Sequence, residues 1–292
     1  MAGLRPTWKA LNWLASALDQ PIEKIGPERS RAAMRKNTGS FRPIFGAPTP
    51  VEHVVDEQLA GVKVRRYVPK GARAGVIVYF HGGGWVVGDV TTHDLPCRAL
   101  AAQAKRTLVS VDYRLAPEHP FPAAIDDCLA VTRELLKTNA VAVAGDSAGG
   151  LLAAVVARRS DVSAQALIYP VTDCAQESAS YSRFATGYFL TRDTMRYFTN
   201  AFLPDPSART HEDASPLRAA LEKGPPAYVL LAECDVLHDE GLAYAEKLKE
   251  AGTSVTIEEV SGVIHGFFSM QGMTATRHAT AHLAAWLDRT LV

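Results

Sequence analysis

The chain has 292 residues and a mass of 31.5 kDa, with 47% hydrophobic residues, 21% charged residues and a mean hydropathy of −0.02. A chain of this length and apolar content buries a sizeable core, which excludes a disordered polypeptide and a coiled coil. Lys plus Arg and Asp plus Glu both number 31, so the formal net charge is zero, and nothing in the composition marks a surface for nucleic acid or for an anionic membrane.

Cys97, Cys128, Cys174 and Cys234 stand far apart with no Cys-x-x-Cys pair. A zinc site or dithiol motif has no support, no metal is expected, and the thiols are expected to be reduced and partly buried. No apolar run approaches the length of about 18 residues that a membrane span needs. Arg5 and Lys9 precede an apolar stretch ending in Ala15-Ser16-Ala17, a weak echo of a signal-peptidase site. Asn12 interrupts that stretch and leaves it too short and polar for a secretory signal, so a cytoplasmic protein is expected.

The first periodic segment is Leu4, Trp8, Leu11, Ala15 and Leu18, with Arg5, Lys9, Asn12 and Ser16 on the opposite side, which predicts an amphipathic helix docked on the core or forming part of a lid. Residues 27–36 read as a second, polar helix with Pro27 in its first turn. Phe41 to Pro50 is rich in Pro and Gly and reads as a linker. Val51–Ala60 and Val62–Val68 flank Gly61 and predict an antiparallel hairpin. The continuous apolar run Gly75–Phe80 predicts a strand covered on both faces. Strands then alternate with helices: helix 93–105, strand Thr107–Val111, helix 122–137, strand Ala140–Ala144, helix 148–159, strand Ala164–Tyr169, strand Ala227–Leu231, helix 239–251, strand Val255–Val260 and helix 274–290. This alternation requires crossovers and a mostly parallel sheet with helices on both faces. Residues 175–216 break the rhythm with seven aromatics, from Tyr181 to Phe202, amid polar residues, and are too long for a simple crossover; an inserted helical cap is the economical reading.

The strongest chemical signal is Gly145-Asp146-Ser147-Ala148-Gly149, directly after a strand and directly before a helix. A Gly-x-Ser-x-Gly string in that setting forces a sharp strand-to-helix turn that projects the serine from the sheet at a helix N-terminus, where developing negative charge is favoured. A second signal is His81-Gly82-Gly83-Gly84-Trp85 after strand Gly75–Phe80. Three successive glycines cost backbone entropy, and a loop whose N–H groups face a ligand oxygen would account for them, with the N–H of Ala148 completing an oxyanion hole. His81 reads as a residue that orders this loop through hydrogen bonds. No Gly-x-Gly-x-x-Gly or Gly-Lys-Ser/Thr string supports a phosphate loop.

A serine needs a base, and the base needs an orienting carboxylate. In this strand–helix order the acid comes after a later strand and the histidine comes last. Asp235 lies just past Ala227–Leu231, and His265 lies just past Val255–Val260 between Gly262 and Gly266. Glu233 and Asp239 compete for the acid's place, although Asp239 reads as a helix cap. His278 and His282 stand at helical spacing without the glutamate of a His-Glu-x-x-His site, and read as a solvated face.

Taken together, His81-Gly82-Gly83-Gly84-Trp85, the run from Asp112 to Ala123, Gly145-Asp146-Ser147-Ala148-Gly149-Gly150, Tyr169-Pro170, Asp235-Val236-Leu237, Asp239-Glu240-Gly241 and His265-Gly266-Phe267 resemble the hormone-sensitive-lipase-like branch of the α/β-hydrolase esterases, in that family's order from about residue 51 onward. The resemblance implies an α/β-hydrolase core of residues 46–174 and 217–292 under a cap built from residues 1–45 and 175–216. It implies Ser147 as nucleophile, His265 as base and Asp235 as orienting acid. It also implies oxyanion donors at Gly83, Gly84 and Ala148, with Gly82 and His81 supporting the loop. Leu151 stands where the family often has Asn, and the segment between Leu136 and Ala140 is shorter than usual. Asp112–Ala123 reads as a structural loop.

The same resemblance implies a serine carboxylesterase acting on short- to medium-chain esters through an acyl-enzyme, with no cofactor, a small-molecule ester as its partner, and a homodimer formed through the last strand near 253–260. An amidase or formamidase, a non-catalytic binding protein of the same fold and an interfacial lipase are the alternatives.

Overall fold

The computed structural model describes residues 3–18, 21–40 and 42–291. The N-terminal arm is helical: α1 (Pro6–Leu18), the single turn α2 (Ile22–Ile25), α3 (Pro27–Ser40) and the single turn α4 (Arg42–Phe45). Leu4, Trp8 and Leu11 of the periodic stripe are buried, and Trp8 meets Phe267 edge-on at 6.4 Å. The expected polar position of Asn12 is corrected: the side chain is buried, because Nδ2 donates to the carbonyl of Gly187 at 2.6 Å. The side chains of Trp13 and of Ala15 to Leu18, and all of Phe41, lie outside the described residues. The expected linker is interrupted by α4.

The body is one eight-stranded sheet in the order β1-β2-β4-β3-β5-β6-β7-β8. Its strands are β1 (His53–Leu59), β2 (Val62–Val68), β3 (Arg73–Phe80), β4 (Arg106–Val111), β5 (Val141–Asp146), β6 (Ala164–Ile168), β7 (Ala227–Cys234) and β8 (Val255–Ile264). β1 and β2 form the hairpin, with Leu59 opposite Val62 across the two-residue turn Ala60-Gly61, both at positive φ as such a turn requires. β2 runs antiparallel to β4, and β4 through β8 pair in parallel. The central strands are buried along nearly their whole length, as parallel strands covered on both faces must be.

Helices α5 (Asp94–Ala104) and α11 (Thr274–Thr290) pack on each other against the sheet, and α6 (Ala123–Leu136) and α7 (Ala148–Arg159) do the same as a second pair. Residues 175–216 contribute α8 (Ala179–Arg183) and α9 (Arg192–Phe202), while α10 (His238–Glu250) comes after β7. The Thr191 hydroxyl caps α9 by accepting from the N–H of Thr194. α9 packs on α2, which brings the inserted segment onto the N-terminal arm.

Strands β5, β7 and β8 run further than their apolar patterns indicate, β5 to Asp146. β7 continues to Cys234 and β8 to Ile264, so Asp235 and His265 are the first residues beyond the sheet. That placement fixes both side chains on rigid supports at the C-terminal edge, where open α/β sheets carry their sites.

Candidate active site

Ser147 sits between β5 and α7 with φ 58 and ψ −119, a left-handed conformation that a residue with a Cβ adopts only when its surroundings impose it. They do so by close backbone packing. A Cβ on Gly145 would lie 2.1 Å from the carbonyl oxygen of Gly149, and one on Gly149 would lie 1.9 Å from that of Phe80. The N–H of Ser147 donates to Ile168 at 2.9 Å, and its carbonyl accepts from Gly150 and Val171 at 2.9 and 3.1 Å. The turn is therefore anchored to β3, to β6 and to its own helix.

The structure brings three distant side chains together. His265 Nε2 lies 2.9 Å from Ser147 Oγ, and Nδ1 lies 2.6 Å from Asp235 Oδ2. Ser147, Asp235 and His265 are 5%, 1% and 6% exposed. The other oxygen of Asp235 accepts from the N–H of Leu237 at 3.0 Å, which fixes the carboxylate. Gly266, at φ 77, turns the chain directly after the imidazole, whose ring lies 4.7 Å from that of Tyr169.

The rival carboxylates are engaged elsewhere. Glu233 accepts from the N–H of Gly262 at 2.6 Å. Asp239 does not cap a helix as its position suggested: α10 starts one residue earlier, and Asp239 instead binds His238 at 2.8 Å and Arg183 at 2.6 Å. His278 and His282 are exposed, and His282 pairs with Glu258 at 3.0 Å. No cluster able to hold a metal ion occurs among the described residues.

The triple-glycine loop passes beside Ser147. Gly83 and Gly84 have φ of 116 and 59, and the Gly83 carbonyl accepts from Val86 and Val87 at 3.1 and 2.9 Å. Among the described residues, the N–H groups of Gly83, Gly84 and Ala148 have no acceptor, whereas that of Gly82 donates to Asp146 Oδ1 at 3.0 Å. His81 stacks on Tyr113 at 4.2 Å, and its Nδ1 lies 2.8 Å from the Gly82 carbonyl. Burial, and then the nearby His93, push the His81 pKa down to about 4, so the ring is neutral near pH 7.

Asp112–Ala123 supports this loop. Tyr113 Oη donates to the His81 carbonyl at 2.6 Å, Ala116 N–H donates to Trp85 at 2.8 Å, and Arg114 holds Asp127 with Nε and Nη2. Sequence reasoning missed three further contributors. Asp146 ties the serine turn to the glycine loop. Glu240 accepts from the N–H groups of Thr172 and Asp173 at 2.7 and 3.4 Å and so holds the loop after β6. Phe198 of α9 covers Gly84, where a Cβ would lie 2.1 Å from its ring. Each carried a signal: Asp146 as the variable residue of Gly-x-Ser-x-Gly, Glu240 as part of Asp-Glu-Gly, and Phe198 as one of the seven aromatics between Tyr181 and Phe202. A cavity of about 400 Å³ between α9 and the loop after β6 is lined by Cys174, Tyr181 and Arg209 among others and contains no residue of the Ser147–His265–Asp235 set.

A serine on a strand–helix turn, a histidine and a carboxylate on the two subsequent strand ends, and a glycine loop with open N–H groups define an α/β-hydrolase. Residues 77–269 match the family model described as alpha/beta hydrolase fold, and the chain belongs to that family, in its hormone-sensitive-lipase-like branch. It is 38% identical to carboxylesterase NlhH of Mycobacterium tuberculosis over 254 residues covering 80% of each chain. It is 39% identical to an ethyl acetate hydrolase of Pseudomonas putida over 210 residues covering 66% of each. Among solved structures, an ester hydrolase from the metagenome of Lake Arreo, complexed with a bipyridine phosphonate derivative, superposes with a TM-score of 0.92 at 38% identity over 98% of each chain. An esterase of Pyrobaculum calidifontis gives 0.92 at 35% identity over 98% of each.

Proposed function

We propose that Ser147 is the nucleophile of this protein, His265 its general base and acid, Asp235 the carboxylate that orients the histidine, and the N–H groups of Gly83, Gly84 and Ala148 the donors to the oxyanion. The chain is a carboxylic-ester hydrolase, as its family membership and its relatives indicate. The observation that carries the assignment of roles is the position of His265, with one ring nitrogen 2.9 Å from the serine and the other 2.6 Å from the aspartate.

Asp235 takes the Nδ1 proton in a hydrogen bond, which leaves Nε2 free to remove the proton of Ser147 as its Oγ attacks the ester carbonyl. The carbonyl oxygen becomes an oxyanion beside the open glycine-loop donors and the N-terminus of α7; each such donor typically contributes about 10²- to 10³-fold in rate. The imidazolium then protonates the leaving alcohol, the acyl-enzyme forms, and water repeats the sequence to release the acid and restore the hydroxyl.

Residues 1–45 and 175–216 act as the cap of a core formed by 46–174 and 217–292. Phe198 closes the space above Gly84, which supports short to medium acyl chains over long ones. β8 is the last strand of the sheet, and although the N–H of Arg5 donates to the Gly262 carbonyl near its end, no further strand pairs with it among the described residues, which supports a homodimer through the edge near 253–260. No described helix is long and apolar enough to cross a membrane; a cytoplasmic location is part of this proposal, supported by four cysteines with no disulfide among the described residues.

The test is turnover of p-nitrophenyl esters from acetate to dodecanoate, with labelling of Ser147 by a fluorophosphonate. The expected result is a maximum at short to medium length and labelling of the parent, with neither turnover nor labelling in Ser147→Ala. Turnover retained by Ser147→Ala would overturn the assignment.

A further inference from the structure

We propose that His93 is a positioning residue for the oxyanion loop, acting through the carboxylate of Asp146. This inference rests on the roles given above to Ser147, Gly83, Gly84 and Ala148.

Asp146 is the last residue of β5, next to the nucleophile, and is 4% exposed. Its Oδ1 accepts from Tyr79 Oη at 2.8 Å and from the N–H of Gly82 at 3.0 Å. A Cβ on Gly82 would lie 2.5 Å from Oδ2, so the carboxylate occupies the space beneath the loop. The far end of the loop is clamped as well, since a Cβ on Gly88 would lie 2.4 Å from the Gly82 carbonyl oxygen. With Gly82 pinned at its N–H and its carbonyl, the next two N–H groups have little freedom left. The direction in which Gly83 and Gly84 present their donors is therefore set by Asp146.

A buried carboxylate must be compensated or it will protonate or rearrange its surroundings. Among the described residues no Lys or Arg comes within ion-pairing distance of Asp146, and the group that does is His93, whose Nε2 lies 3.5 Å from Oδ2. His93 is 2% exposed and takes no part in the chemistry proposed above. Its Nδ1 lies 3.0 Å from Thr92 Oγ1, which itself donates to the Asp89 carbonyl at 2.9 Å. Both ring nitrogens thus face oxygen atoms, and the imidazole is the group set against the Oδ2 side of Asp146. His81, the other imidazole nearby at 5.4 Å, is held neutral by burial. Burial alone would raise Asp146, but His93 and then Tyr79 outweigh it and hold the carboxyl below its ordinary range. The chain of contacts continues outward: the Thr91 and Thr92 N–H groups donate to Asp89, which pairs with Arg35 of α3. Helix α3 and the glycine loop are thus joined through Asp89, Thr92, His93 and Asp146.

The experiment compares His93→Leu, Asp146→Asn and the double variant for kcat and KM with p-nitrophenyl butyrate, together with the rate of labelling by a fluorophosphonate. His93→Leu is expected to lower kcat and the labelling rate by roughly 10- to 100-fold at a KM within about twofold, because the donors act mainly in the transition state. Asp146→Asn keeps an oxygen for Gly82 and Tyr79 but needs no counter-charge. The double variant is accordingly expected to exceed His93→Leu in kcat by about fivefold or more, a coupling that simple loss of packing does not produce. Should His93→Leu fail to fold, the asparagine background decides: adding His93→Leu there is expected to cost less than about twofold. A kcat for His93→Leu within about twofold of the parent, or a loss in the asparagine background as large as in the parent, overturns the proposal. If the parent itself is neither labelled nor active, it is the assignment of Ser147 that fails.

Discussion

Arg31 of α3 holds Glu118 with both terminal nitrogens, at 2.9 and 2.7 Å, while its Nε donates to the Val86 carbonyl at 2.7 Å and Nη2 also donates to Ala116 at 2.9 Å. One guanidinium therefore joins the N-terminal arm to the segment after the glycine loop and to the Asp112–Ala123 run. Glu118 is more than half exposed, so the ion pair itself contributes little. The two carbonyls, which the plane of the guanidinium serves and a lysine ammonium could not serve together, contribute more. Arg31→Ala is expected to cost about 1–2 kcal/mol in urea denaturation, Arg31→Lys nearly as much, and Glu118→Gln under about 0.5. Equal losses for Arg31→Ala and Glu118→Gln would place the stabilisation in the ion pair instead.

The backbone of Ser147 predicts a conflict between stability and turnover. At φ 58 its Cβ is strained, and glycine adopts this conformation without penalty. Ser147→Gly should raise the free energy of unfolding by about 1 kcal/mol while abolishing ester turnover. Ser147→Ala, which keeps the Cβ, should lose turnover without that gain. Identical unfolding midpoints for the two variants would show that the turn is relaxed.

The elements carrying the site were legible because their local patterns agree with the global fold: apolar strands ending in glycine-rich turns, with helical periods between them. The order of serine, acid and histidine came from the same alternation, since each stands at a strand end. The inserted segment 175–216 was legible only as an interruption. α8 and α2 are too short to show a period, and Asn12 lies on the polar side of its stripe yet is buried against a carbonyl 175 residues away. Arg31 and Glu118 lie 87 residues apart, and the service of His93 to Asp146 depends on a neighbour in space. No local pattern carries such partnerships.

Gly83 and Gly84 should fail differently when given a side chain. A Cβ on Gly83, at φ 116, would meet the backbone carbonyl of Val87 at 2.1 Å, which cannot move without opening the loop. A Cβ on Gly84, at φ 59, would meet the ring of Phe198 at the same distance, and that ring belongs to α9. Both alanine variants are expected to lose about 100-fold or more in kcat/KM. Adding Phe198→Ala should recover a measurable part of the loss for Gly84→Ala and none for Gly83→Ala. Recovery in both, or in neither, would contradict the distinction between a side-chain and a backbone obstacle.

His81 makes the fold sensitive to acid. Its pKa is held down to about 4, chiefly by burial and then by His93, whereas an unfolded histidine titrates near 6.5. Above pH 6.5 the ring is neutral in both states and imposes no cost. As the pH falls from about 6.5 towards 4, the unfolded chain binds a proton that the folded chain refuses, and stability drops. The full effect is of order 3 kcal/mol. His81→Phe keeps a ring to stack on Tyr113 and gives up one hydrogen bond, from Nδ1 to the Gly82 carbonyl, at about 1 kcal/mol, so the variant should fold while lacking this titration. Unfolding free energies measured in urea at intervals from pH 7 to 4.5 should converge, the parent falling more steeply than the variant while the remaining carboxylates act equally on both. Parallel curves would mean that the buried imidazole accepts its proton in the folded state.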